Sequence, residues 1–309
     1  MYFATNPPPG TLPAQIAREY RELRDAQPSM RLFALVDCAF EEAFLKARYR
    51  RTLPSQSLYG DTSLKALGAA APHLLTAPDG VAEQQAWLSH VFACCQGKPM
   101  LSLIASPLDG GGLVSHWRPY LIAMTPDTVE WPVRWGDTRV LPALVDALTE
   151  AQRQHFFAPL ARWWSPARDG GLLQWQGAGA SPIPAGFDKL PLSDEVFGKL
   201  VDMAEADAVL ANLYDKQPYL FEAASPAECH GRVARHLALA SAHGIHAAPA
   251  REQFSALALM LADDFTRHAA MAQLLRRTRQ GADFHHEIAA LPDAFWRQAV
   301  SKLPVSDTA

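Results

Sequence analysis

The run Trp131-Pro132-Val133-Arg134-Trp135-Gly136-Asp137-Thr138-Arg139-Val140-Leu141 places large apolar residues at every second position and then breaks. Trp131, Val133 and Trp135 alternate with Pro132 and Arg134, the period of a strand with one buried face, predicted over Thr128–Trp135. Gly136-Asp137 supplies the turn that ends it. Asp137 then stands between Arg134 and Arg139, where its carboxylate can accept a forked hydrogen bond from either guanidinium. The three residues read as an ion-paired corner between strand and helix, with direct contact to a partner as the other role.

Working outward, strands and helices alternate. Arg31–Asp37 is a strand rich in Leu, Val and Phe, followed by helical spacing over Phe40–Arg51. A short strand at Leu74-Leu75, a helix over Val81–Cys95, a strand over Met100–Ser106 and a helix over Gly112–Leu121 come next. Gln15–Arg24 adds a helix before them. This alternation predicts an α/β or α+β lobe with a central β-sheet, its strand directions left open, over residues 1–166. From 167 to 191 the composition turns to Gly, Pro, Ala and Ser around a strand-like Leu172–Gln176, which reads as a junction. Beyond it, over 192–309, strand signals give way to helix caps. Ser193-Asp194-Glu195 opens one helix, Ser225-Pro226-Ala227-Glu228 is a capping box, and Gly244 is a stop. Phe254, Leu257, Ala258, Leu261 and Phe265 make one stripe, and a last helix pair breaks near Pro292. An all-α second lobe follows.

The order of the motifs carries a resemblance. His116-Trp117-Arg118-Pro119-Tyr120-Leu121 precedes the Arg134–Leu141 run, and a Gln-rich helix ending in an aromatic pair follows it. Upstream stand Leu32–Asp37, Ser57-Leu58-Tyr59, Ala71–Leu75 and Trp87. Together these resemble the N-terminal domain of bacterial type VI secretion effector chaperones, the Tap or TEC adaptors, over roughly Arg31–Trp164. Thr138 departs from the proline that many such proteins carry after the aspartate, and Gly110-Gly111-Gly112 is a further departure. The resemblance implies a non-enzymatic adaptor in the cytoplasm. Its two lobes would form a cleft for a toxin's N-terminal region, and it would help load that toxin onto the VgrG spike protein.

His285-His286-Glu287 places neighbours about 100° apart on a helix, unsuited to one ion, and His243 and His246 straddle Gly244. No lysine-serine pair follows the glycine run, and a Gly-x-Ser-x-Gly elbow is missing. Cys38 follows Asp37, whose charge would raise the thiol pKa. No cofactor, metal or catalytic residue is therefore expected. The net charge of -4 lacks the basic footprint of a nucleic-acid binder, and no apolar run approaches the ~20 residues of a membrane span. Four cysteines without a CxxC pattern suit a reducing compartment. The residues expected to meet a partner are aromatic: the pair Trp163-Trp164, and Tyr214, Tyr219 and Phe221 in a loop around Pro218. The competing expectation is a small-molecule hydrolase or transferase with its site in the interlobe cleft, using His116 or Asp137.

Overall fold

The computed structural model describes residues 2–49, 54–181 and 184–300. They divide into two compact units. Residues 7–201 form one, and residues 2–6 with 202–300 form the other.

The first unit contains, in chain order, α1 (Leu12–Ala26), β1 (Arg31–Asp37), β2 (Ser55–Ser57), β3 (Pro72–Thr76), α2 (Val81–Cys94), β4 (Leu101–Ser106) and α3 (Gly110–Trp117). Then follow β5 (Ile122–Met124), β6 (Glu130–Pro132), α4 (Leu141–Ala147), α5 (Glu150–Phe157), β7 (Arg162–Pro166), β8 (Leu172–Trp175) and β9 (Leu190–Pro191). Six strands make one sheet in the order β2-β3-β1-β4-β7-β8, and every neighbouring pair is antiparallel. The lobe is thus α+β.

β1 is apolar over nearly its whole length because both faces of this sheet are covered. Its period of two deals residues to two cores. Phe33 and Leu35 face a cluster holding Trp117, Trp135, Phe156 and Trp163. Leu32, Ala34 and Val36 face Ile16, Trp87, Val91 and Trp164. A smaller sheet, β6-β5-β9, is mixed, with β5 and β9 parallel.

Three expectations need correction. The strand predicted over Thr128–Trp135 is only the three residues of β6, and Trp131 is 41 % exposed while Val133 and Trp135 are buried. Val133 N–H still donates to the Leu121 carbonyl at 2.9 Å, and the chain then turns away, the Asp137 N–H donating to the Arg134 carbonyl at 3.1 Å. The helix predicted over Phe40–Arg51 is instead a 3-10 turn, Cys38–Phe40, followed by a π-helical segment, Phe44–Tyr49. Arg50 and Arg51 lie outside the described residues. Nor does 167–191 divide the units: β8 extends the main sheet, β9 joins the smaller one, and the division falls after Val201. Gly and Pro there mark turns between strands, which composition cannot tell from a linker.

That division lies inside α6 (Asp194–Lys216), whose first turns place Val196, Phe197 and Leu200 on the core of the α+β unit. The second unit is helical: the rest of α6, then α7 (Pro226–Ala242), α8 (Ala248–Met260), α9 (Ala269–Arg279), α10 (Phe284–Ala289) and α11 (Asp293–Val300). Among the described residues no strand follows Pro191. The capping box of α7 is formed: Glu228 N–H donates to Ser225 Oγ at 3.4 Å, and Ser225 N–H donates to Glu228 Oε2 at 2.8 Å. Gly244 ends that helix at φ +76°, a value only glycine takes without strain. Phe254, Leu257, Ala258, Leu261 and Phe265 are all buried in one cluster. No described helix is long and apolar enough to cross a membrane.

Candidate functional site

The corner is built where β1 ends. Asp37 Oδ1 accepts from the N–H of Ala39 at 3.0 Å, capping the 3-10 turn, and its Oδ2 accepts from Arg134 Nε at 3.0 Å. Asp137 lies between the end of β6 and the start of α4. It is 2 % exposed and holds Arg139 by a fork, Nε to Oδ1 at 3.1 Å and Nη2 to Oδ2 at 2.8 Å. The backbone N–H of Arg139 also donates to Oδ1, at 3.1 Å, and Arg134 Nη1 stands 3.6 Å from Oδ2. The two carboxylates and two guanidiniums alternate, and both guanidiniums lie over the ring of Phe40, at 4.6 and 5.3 Å from its centroid. Gly136 allows the approach, because a Cβ there would come within 2.8 Å of Asp37 Cβ.

The structure therefore brings Arg134, Asp137 and Arg139 together and adds Asp37 and Phe40 to them. Burial raises the Asp37 pKa, against the lowering influence of Arg134. The Cys38 thiol is pushed up to about 12, chiefly by burial, with Asp37 and Glu41 adding to it. A protonated thiol and ion-paired carboxylates are fastening groups, with no nucleophile-base pair among them.

The other expected residues separate. Trp163 and Trp164 are both fully buried, one in each core, so neither offers a surface to a partner. Adjacent residues of a strand point to opposite faces, and here both faces are covered. Tyr214 lies in the last turn of α6, not in a loop. It stacks on Tyr2 at 4.8 Å and 16°, with the Phe221 ring edge-on at 5.3 Å. Tyr219 and Phe221 belong to a 3-10 turn, Pro218–Phe221. Tyr219 is 58 % exposed and its hydroxyl donates to Gln217 Oε1 at 3.0 Å. Gln217 also lines a groove of about 480 Å³ with Leu213, Lys216, Pro249, Glu252 and Met260, bridged by Lys216 and Glu252 at 2.6 Å. The groove and the exposed Tyr219 are continuous through Gln217.

Residues 2–6 complete this region, which the sequence reading missed. Ala4 is buried, and Asn6 Oδ1 accepts from the N–H of Ala227 in the first turn of α7 at 3.1 Å. Burial raises the pKa of Tyr2. A second omission is His90 and Cys94, four apart on α2 and 3.6 Å from each other. Their spacing was legible, yet His90 Nε2 points at the Tyr49 carbonyl, 3.1 Å away, and the thiol donates to the Arg48 carbonyl at 3.4 Å. His116, a candidate base, instead stacks on His155, with Nε2 donating to the His155 and Phe156 carbonyls at 3.0 and 3.3 Å. Burial lowers its pKa first, and the neighbouring His155 lowers it further. Among the described residues no three His, Cys, Asp or Glu side chains gather as metal ligands would.

No curated protein and no solved structure matches the chain. Residues 32–155 match a family model described as "Domain of unknown function (DUF4123)", and that span contains Asp37, Phe40, Arg134, Asp137 and Arg139. The chain carries a DUF4123 domain at residues 32–155.

Proposed function

We propose that the protein is a non-enzymatic adaptor of bacterial type VI secretion, which binds a toxin effector and helps load it onto the VgrG-type spike. The observation that carries the reading is that the family match, 32–155, falls within the span of the adaptor resemblance, with its Arg-x-x-Asp-x-Arg motif formed as a buried ion-paired corner. The corner supports the reading as scaffold, not as contact. An adaptor needs exposed apolar or aromatic centres with polar rims. Tyr219, 58 % exposed, stands beside a groove in which the half-buried Met260 lies with Lys216 and Glu252, an aromatic centre with a polar rim.

The test is coexpression with the toxin and spike encoded beside the gene, followed by isolation of a ternary complex. A stoichiometric complex is expected, and failure to bind either product rejects the adaptor. Tyr219→Ala is expected to keep the helical circular dichroism and to lose ~30-fold in toxin affinity, the weight of one central aromatic anchor of ~2 kcal/mol. Unchanged affinity would remove Tyr219 from the contact.

A further inference from the structure

Strand β8 ends the six-stranded sheet, and among the described residues nothing pairs with its outer edge. Which of its backbone groups face outward follows from the register. The hairpin closes with the Ala167 N–H donating to the Gly171 carbonyl at 2.9 Å, and Ser165, Trp164 and Trp163 pair with Leu173, Gln174 and Trp175. Antiparallel ladders alternate bonded and non-bonded pairs. Counting from the closing bond, Leu173 and Trp175 bond to β7, while Leu172 and Gln174 turn their N–H and C=O groups away from it.

Open edges are usually blunted by prolines, charges, shortness or a covering element. The molecule does this elsewhere. β6 carries Pro132 on its edge strand. β2 has three residues, with the start of α3 against it and the Gln56 amide at Gly110. Leu172-Leu173-Gln174-Trp175 has neither proline nor charge.

Beside this edge, on the α1 face of the sheet, lies a notch of about 430 Å³ lined by Glu19, Glu22, Leu23, Arg162, Trp164 and Gln174. Glu19 Oε2 accepts from Trp164 Nε1 at 2.7 Å and from Gln174 Nε2 at 3.3 Å, and Gln174 Oε1 accepts from Arg162 Nη1 at 2.8 Å. Arg162 Nε is buried without a partner. Two carboxylates against one guanidinium leave the notch acidic. A strand laid along β8 would point the side chain opposite Gln174 into it, since paired residues share a face.

We propose that the β8 edge binds an extended segment of a partner polypeptide as a seventh strand, with a Lys or Arg of that segment seated in the Glu19–Glu22 notch. Backbone groups of Leu172 and Gln174 provide the pairing, and the notch selects for positive charge. A second copy of this chain is the poorer occupant, because antiparallel pairing of two β8 edges brings two acidic notches side by side.

The test uses the full chain with two short synthetic peptides, both alternating Val with a polar residue, one with Lys and one with Glu at the polar positions. Amide exchange is followed by NMR. At saturating Lys peptide, exchange at Leu172 and Gln174 is expected to slow about tenfold or more, as for any newly paired amide. The Glu peptide is expected to bind about tenfold more weakly. Gln174→Pro removes an outward N–H without touching the ladder to β7 and is expected to abolish the slowed exchange at Leu172, whereas Gln174→Thr, which keeps the N–H and loses only the notch side chain, is expected to keep that slowing and to bind the Lys peptide more weakly. Exchange unchanged at both amides in millimolar Lys peptide overturns the proposal. So does equal binding of the two peptides, or slowing that needs only a higher concentration of the protein itself, which assigns the edge to a second copy.

Discussion

The two units are held by groups of different reach. In the α+β unit the decisive polar contacts join distant segments: Arg134 meets Asp37 across 97 residues, and Tyr120, Trp135 and Phe156 close one aromatic cluster. In the helical unit many are local, such as the Ser225–Glu228 box and Asp283 capping α10 through the His286 N–H at 2.8 Å. Its Arg251–Glu205 fork spans 46 residues, with Glu205 30 % exposed against 2 % for Asp137, and the contact of Ala227 to Asn6 reaches further. Long-range closure costs chain entropy before it returns energy, so the α+β unit depends more on each closing contact.

Asp137→Ala is the harshest way to break the comparison. It leaves Arg139 without its forked partner beside a buried corner, and unfolding in urea should show a loss of about 3–5 kcal/mol. Glu205→Ala, the corresponding cut in the helical unit, should cost about 1–2 kcal/mol, because Glu205 is partly in water and Arg251 keeps the Ser241 hydroxyl and the Ile245 carbonyl. Equal losses would show that reach and burial do not distinguish the units. Toxin binding lost by Asp137→Ala with an unchanged melting temperature would move that residue to an interface.

Gly136→Ala comes next. Its Cβ would press on Asp37 Cβ and, at 3.2 Å, on the Asp37 nitrogen, so overpacking should cost about 1–3 kcal/mol by thermal melting. In the helical unit Ser225→Ala removes only a cap, about 1 kcal/mol.

The smallest effect is in pH. Burial lowers the pKa of His73 and His116 in the α+β unit and of His236 in the helical unit. Each is therefore more basic unfolded than folded. Their contribution to stability is complete above about pH 6.5 and is lost as pH falls through the depressed folded values. Seven of the eight tryptophans lie within residues 7–201, so tryptophan fluorescence follows the α+β unit while circular dichroism follows both. With two such histidines against one, offset in part by Asp37, whose raised pKa favours the folded state as pH falls, the fluorescence midpoint should fall further than the dichroism midpoint between pH 7 and about pH 5. Identical shifts would show that the two units unfold as one.

How much could be read beforehand follows the same division. β1 stands at the bounds its apolar run predicted, and the α7 capping box formed from the residues that spelled it. Asp137 with its two arginines was legible because all three lie within six residues. Asp37, 97 residues from Arg134, was not, since a partner at that distance leaves no spacing to count. Trp163-Trp164 misled because two adjacent bulky residues look excessive for one buried face, and this sheet has two. Trp131 misled in the opposite sense: its alternation was read as burial, yet it ends exposed beside Phe197, with ring centroids 4.8 Å apart. Tyr2 gave no signal, because a lone aromatic in an irregular segment has no period.

That short segment bears on how the chain is made. Residues 2–6 belong with 202–300, so one unit is discontinuous and the other is inserted within it. On the ribosome, where domains form as they emerge, the α+β unit can close as soon as α6 begins to appear. Tyr2 and Asn6 are synthesised about 200 residues before the Tyr214, Phe221 and Ala227 that they contact. Residues made before the α+β unit find their place only after it.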